Sequence, residues 1–112
     1  MSKLKNSKVL VIGGAGFIGG FVISELLKQD VKQVIIFDNF ARGKYVNVEK
    51  SLEDPRCSVF PLGGDIRETD ILDKAMEGVD YVFHLAHYRL IIYFLLFNIT
   101  VSNFPNTNLQ LL

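Results

Sequence analysis

Three glycines in the pattern G-x-x-G-x-x-G, at Gly13, Gly16 and Gly19, constrain this chain more than any other feature, with Gly14 as an extra member. The apolar run Val9-Leu10-Val11-Ile12 precedes them, and a segment of helical character, Phe17 to Gln29, follows. Strand, tight glycine corner, then helix is an arrangement that aims main-chain N–H groups and the positive end of a helix dipole at one point, where a diphosphate can rest without a cationic side chain. Gly13 would let the chain leave the strand in a conformation closed to residues with a Cβ. Gly16 would let the backbone approach the ligand, and Gly19 would let the helix pack closely on the sheet. By itself the triplet is also compatible with a flexible glycine turn, so a second feature is needed.

That feature is an acid at the end of the next strand. Gln33-Val34-Ile35-Ile36-Phe37 reads as a buried strand closed by Asp38, 19 positions after Gly19, against ~20 expected for a carboxylate that grips the adenosine ribose of a dinucleotide. An acid there accepts from both ribose hydroxyls and repels a 2′-phosphate, which favours NAD over NADP. Arg42 keeps NADP as the lesser alternative.

The coarse pattern alternates strands and helices. Strands are expected at Lys8–Ile12, Gln33–Phe37, Cys57–Leu62 and Tyr81–Leu85, and helices at Phe17–Gln29 and Thr69–Met76, the latter closed by Gly78. A short helix over Tyr45–Leu52 would end before Asp54-Pro55. In the first helix Phe17, Phe21 and Leu26 are expected to face the sheet. Alternation of this kind implies an α/β fold, a doubly wound parallel sheet of Rossmann type with strands ordered 3-2-1-4. Ligands bind such sheets at the carboxyl ends of the strands, here between the glycine corner and Leu85-Ala86-His87.

Four segments in order now carry a family resemblance: Val-Ile-Gly-Gly-Ala-Gly-Phe-Ile-Gly at 11–19, Phe-Asp-Asn-Phe at 37–40, Gly-Gly-Asp-Ile-Arg at 63–67 and Asp-Tyr-Val-Phe-His-Leu-Ala at 80–86. Together they resemble the extended short-chain dehydrogenase/reductases, and within them the NAD-dependent sugar-nucleotide epimerase/dehydratase group. The resemblance implies a cofactor site made of Gly13, Gly16, Phe17, Ile18, Gly19, Asp38, Asn39, Asp65, Ile66, Leu85 and Ala86. Asp65 would hold the adenine amine and Ile66 would lie against the ring. From the residues alone, Gly63-Gly64-Asp65 is read equally well as a turn with a helix cap. His84, inside an apolar strand, reads as a buried structural histidine rather than a proton shuttle, and His87 stands where the family has a small residue.

The resemblance also implies a catalytic Tyr-x-x-x-Lys, in which the Tyr serves as base. Tyr45, Tyr81, Tyr88 and Tyr93 are followed four positions later by Glu49, Leu85, Ile92 and Phe97, so the motif is not in this sequence and no catalytic residue is assigned. From Tyr88 the character of the chain changes. After Arg89 there is no charged residue, and Leu90 to Phe97 is apolar on every side. The expected organisation is therefore a partial NAD-binding domain at 1–87, the N-terminal part only of such a fold, with a divergent, non-native or truncated tail at 88–112. The expected function is the NAD(P)-binding portion of a sugar-nucleotide epimerase/dehydratase, without turnover in this chain. A non-catalytic NAD-binding sensor or interaction module, or a nonfunctional product, are the alternatives.

Charge and cysteine content narrow the remaining classes. Twelve Lys plus Arg balance twelve Asp plus Glu, which gives no electrostatic case for nucleic acid or an anionic membrane. The single Cys57 cannot form an internal disulfide, and no His/Cys cluster suggests a metal. A cytoplasmic setting is expected. Five glycines between Val9 and Ser24 argue against a secretory leader, and the tail's apolar run is far shorter than the ~20 residues of a membrane span. The expected partners are a dinucleotide and, in the full-length family, a nucleotide sugar.

Overall fold

The computed structural model describes residues 4–85. Ala86, His87 and the apolar run of the tail lie outside them.

The chain forms β1 (Lys8–Ile12), α1 (Phe17–Leu26), β2 (Gln33–Phe37), β3 (Cys57–Val59), α2 (Thr69–Ala75) and β4 (Tyr81–His84), with single 3₁₀ turns at Tyr45–Asn47 and Ser51–Glu53. The strands make one parallel sheet ordered β3-β2-β1-β4. Leu10 pairs in register with Ile35 on one side and with Val82 on the other. This is the expected order. The connections that lead from β1 to β3 run one way across the sheet and the return to β4 runs the other, and α1 and α2 fall on opposite faces.

Because both faces are covered, the central strands are apolar at successive positions rather than alternately. Val9, Val11, Val34 and Ile36 pack with Ala15, Ile23 and Leu26 on the α1 side. Leu10, Ile12, Ile35 and Phe37 pack with Ala75, Met76 and Val79 on the α2 side. These strand residues are all less than 9% exposed, which places the driving force for folding in the sheet.

α2 and β4 each end one residue before the expected limit, at Ala75 and His84, and three larger differences have physical reasons. First, α1 ends at Leu26, where the amides of Lys28 and Gln29 turn back to Glu25 and Leu26 in tighter i→i−3 bonds. The carbonyls freed there are collected by Arg56, whose guanidinium donates to Leu27, Gln29 and Val31 oxygens at 2.6, 2.9 and 3.4 Å. Second, β3 stops at Val59; Phe60 still donates to Ile36, but Pro61 has no N–H to extend the ladder. Third, the 45–52 stretch is two separate turns rather than a helix.

The face of α1 also differs. Leu26 is buried as expected, but Phe17 and Phe21 are 73% and 61% exposed and meet each other edge to face. The helix is apolar nearly all round, so periodicity does not select a face. Size does: Gly19 and Gly20, with Ile23 and Leu26, form the buried side.

Candidate functional site

All four strands end their carboxyl ends on one edge of the sheet, and the loops leaving them enclose a cleft of about 720 Å³. It is lined by Gly13, Gly16, Phe37, Asp38, Asn39, Ala41, Arg42, Gly43, Gly64, Asp65, Ile66, Arg67 and Leu85. Seven positions singled out from the sequence thus meet around one space: Gly13, Gly16, Asp38, Asn39, Asp65, Ile66 and Leu85.

The glycine corner forms as its residue types dictate. Gly13 has φ +79°, in the left-handed region where a Cβ is strained, and its N–H donates to Phe37 O at 2.8 Å, which ties the corner to the end of β2. Gly16 N–H closes the turn onto Gly13 O at 3.2 Å. Gly16 then stands at the N-cap of α1 with extended backbone and no side-chain cap, so the first amides of the helix, those of Phe17 and Ile18 among them, are not covered by a capping side chain. A Cβ on Gly16 would meet only Gly13 O, 3.5 Å away, so open space lies beside its Cα. Gly19 does not line the cleft. A Cβ there would run into Gly13 O and come within 2.7 Å of Gly14 Cα, so hydrogen alone lets the helix abut the corner. The side chains of Phe17 and Ile18 are exposed and are not brought into the cleft; only their main chain stands at its edge.

Asp38 is engaged with the corner itself. Its Oδ2 accepts the Ala15 N–H at 3.0 Å and its Oδ1 accepts the Phe40 N–H at 2.7 Å. Each carboxylate oxygen keeps a further lone pair for a ligand hydroxyl. Asn39 Oδ1 accepts the Ala41 N–H at 2.9 Å, which folds the loop sharply after β2 and leaves Asn39 exposed at the rim.

Asp65 is held differently. Its carboxylate accepts the Arg67 main-chain N–H at 2.9 Å and is forked by the Arg67 guanidinium, with Nη2 to Oδ2 at 2.7 Å. These bonds lower its pKa to about 2, so it is an ionised acceptor throughout the physiological range. Ile66 is half-buried against the α2 side of the core and presents an apolar wall. Leu85 donates its N–H to Ile12 O at 2.7 Å, which brings the end of β4 beside the glycine corner. Ala86, expected next to it, lies outside the described residues.

Several contributors were not singled out from the sequence. At Gly64 a Cβ would collide with the main chain of Asp38, and at Gly43 one would come within 2.7 Å of Ala15 Cβ and 3.0 Å of Asp38 Oδ2. Asn47 donates through Nδ2 to Ala15 O at 2.8 Å. A glycine five positions after the acid is a visible signal for the Gly43 contact; the Asn47 bond, spanning 32 positions, has none.

Other groups do not build a site. Cys57 is buried, and burial pushes its thiol up to about 11, far from a reactive thiolate. His84 is buried in β4. Among the described residues no cluster of three or more His, Cys, Asp or Glu could hold a metal, and no helix is long and apolar enough to cross a membrane. A second depression of about 330 Å³ beside α1 is walled chiefly by Leu4, Phe21, Val22, Leu26 and Phe83, with little that could orient a charged nucleotide.

Comparison with known proteins bears on this geometry. Residues 10–102 match the model of the 3-beta hydroxysteroid dehydrogenase/isomerase family. The chain belongs to that family. Its relatives include UDP-glucuronic acid decarboxylase 6 of Arabidopsis thaliana, 35% identical over 81 residues, and a UDP-glucose 4-epimerase of Rickettsia bellii, 37% identical over 82 residues. These alignments cover 72% and 70% of this chain but 22% and 23% of the relatives, so the chain spans less than a quarter of their length. Among solved structures, the Bordetella bronchiseptica enzyme WbmF in complex with NAD+ and UDP superposes with a TM-score of 0.69 at 28% identity, over 98% of this chain and 35% of that one. These similarities agree with the resemblance carried by the four motifs, and the sheet order is the one that the alternation of strands and helices implied.

Proposed function

We propose that this chain is the NAD-binding portion of an enzyme that epimerises, dehydrates or decarboxylates a nucleotide sugar. One observation carries the reading: the uncapped glycine corner, the Asp38 carboxylate and the Asp65–Ile66 pair face a single cleft. The reading assigns them in turn to diphosphate, ribose and adenine. The open side of Gly16 fits the group, since a diphosphate can reach the main chain there without meeting a side chain. In this reading the corner from Gly13 to Gly19, with the amides of Phe17 and Ile18, holds the diphosphate. Asp38, with Asn39 beside it, takes the ribose hydroxyls, and Asp65 takes the adenine amine against Ile66. Leu85 borders the nicotinamide side. When bound, NAD supplies a hydride acceptor.

Similarity to enzymes of UDP-sugars and to an NAD+ and UDP complex supports the substrate class for the whole protein. No Tyr-x-x-x-Lys occurs in this sequence, and in this reading the chain binds cofactor without turning over a sugar nucleotide. That same observation favours a second reading, a cofactor-binding module with no catalysis of its own. The single buried Cys57 is in keeping with a reducing cytoplasm.

Calorimetric titration of the full chain with NAD and NADP tests the assignment. NAD is expected to bind at least ~10-fold more tightly, because a 2′-phosphate would face the Asp38 carboxylate. Equal or tighter NADP binding, or no heat with either, would refute it. Turnover of UDP-glucose or UDP-glucuronic acid by the same chain would refute the non-catalytic part alone.

A further inference from the structure

Ala15 sits at the centre of the glycine corner and is completely buried, yet every polar group of its peptide is engaged from one neighbouring loop. Its N–H donates to Asp38 Oδ2 at 3.0 Å. Its carbonyl accepts two bonds at once, from the Lys44 N–H at 3.0 Å and from Asn47 Nδ2 at 2.8 Å. The loop lies tightly on the corner at two more points: Gly43 abuts Ala15 Cβ, and a Cβ on Gly20 would come within 2.6 Å of Asn47 O.

From this arrangement we infer that Asn47 is a positioning residue for dinucleotide binding: by pinning the Ala15 carbonyl it fixes the direction in which the amides that follow it point. The inference rests on the proposed cofactor site and adds to it a residue that touches no ligand. Rotating the Ala15–Gly16 peptide moves its carbonyl and the Gly16 N–H together, because the peptide is planar. Glycines on either side of Ala15 leave that rotation nearly free in an isolated loop. A carbonyl held by two donors cannot rotate without breaking both bonds, and Asn47 supplies the one side-chain donor of the pair. Asn47 reaches across from the 3₁₀ turn Tyr45–Asn47, whose next residue, Val48, is buried in the core and anchors the donor. The nest is thereby ordered before a ligand arrives, which saves the ordering cost at binding.

Two variants separate donation from packing: Asn47→Ala removes the side chain, and Asn47→Asp keeps its shape but cannot donate when ionised. Hydrogen exchange in the ligand-free full chain is the first readout, since it does not depend on cofactor. Both variants are expected to speed exchange of the Ala15 and Gly16 amides while leaving the ladder amides of Val34 and Ile36 unchanged. NAD titration is the second, with affinity about tenfold weaker in Asn47→Ala than in the wild type. Unchanged exchange at Ala15 and Gly16, acceleration of all amides together, wild-type exchange in Asn47→Asp, or undiminished NAD affinity would each overturn the inference. A wild-type chain that fails to bind NAD would instead refute the proposed function, and the exchange result would still decide whether Asn47 orders the corner.

Discussion

The two acidic corners of the cleft are built on opposite plans. After β2, Asp38 reaches across 23 positions to the Ala15 amide, and Asn47 across 32 to the same residue's carbonyl, in part-buried bonds. After β3, Asp65 bonds to Arg67 two positions away, and Arg67 has 86% of its side chain exposed. The first corner is made of tertiary contacts and stands or falls with the fold. The second is a local turn on the surface, whose chemistry is set by its own neighbour. Disturbing the first should therefore cost stability and ligand affinity together, and removing the Arg67 partner of the second should alter the ionisation of Asp65 with little effect on stability.

The largest effect is expected at Gly19. Its missing Cβ faces the main chain of Gly13 and Gly14, which cannot swing aside as a flexible side chain could. Gly19→Ala should destabilise the chain by ~3 kcal/mol and lower its melting temperature by roughly 10 °C or more. A melting temperature matching the wild type would show that the corner can relax, and would weaken the view that it is part of the core.

Next is Asp38→Asn, which keeps the shape but removes the charge. Loss of charge-assisted bonds to Ala15 and to the ribose should weaken NAD by ~30-fold while NADP loses less. Parallel titrations would check the ratio; an equal loss for both cofactors would show that Asp38 holds the corner but does not read the ribose.

Acid stability sharpens the contrast further. The folded pKa values of Asp65 and Asp54 are each lowered from 3.8 to about 2 by hydrogen bonds from Arg67 and Arg56 respectively. A lowered folded pKa contributes stability that is complete above the unfolded value and disappears as pH falls through the folded one. Solvent screens both pairs, so denaturant midpoints should hold down to about pH 4 and fall only slightly between there and about pH 2. A decline already complete above pH 4 would mean that other groups control acid unfolding.

The smallest effect belongs to Arg67→Ala. Titration followed by NMR should show the Asp65 pKa returning toward its ordinary ~3.9, with stability nearly unchanged because the pair is exposed. A large loss of stability would erase the distinction between the corners.

Much of this was legible in the sequence, and the reasons differ by element. β1 and β2 match their expected limits because buried parallel strands are uninterrupted apolar runs bounded by polar residues, a local signal. Gly13, Gly16 and Asp38 stood out by residue type at fixed spacing, Asp65 through the family resemblance, and all four line the cleft. The end of α1 was not, since Arg56, 29 positions from Leu27, collects its carbonyls. Nor was its buried face, because a helix carrying Phe17, Ile18, Phe21, Val22, Ile23 and Leu26 offers apolar residues in every direction, and contact at Gly19 and Gly20 decides the matter. Asn47 escaped notice for a similar reason: one amide side chain in a polar loop has no pattern until the fold brings it to Ala15.

The central claim is that the amides of the β1–α1 corner, together with Asp38, receive the diphosphate and ribose of NAD. Amide NMR of the full chain during NAD addition tests it most directly. The account predicts shifts concentrated at residues 13–19, 38–39 and 65–66, saturating together along one binding curve. Shifts centred instead on Leu4, Phe21 and Phe83 beside α1, or none at the glycine corner at saturating NAD, would contradict it.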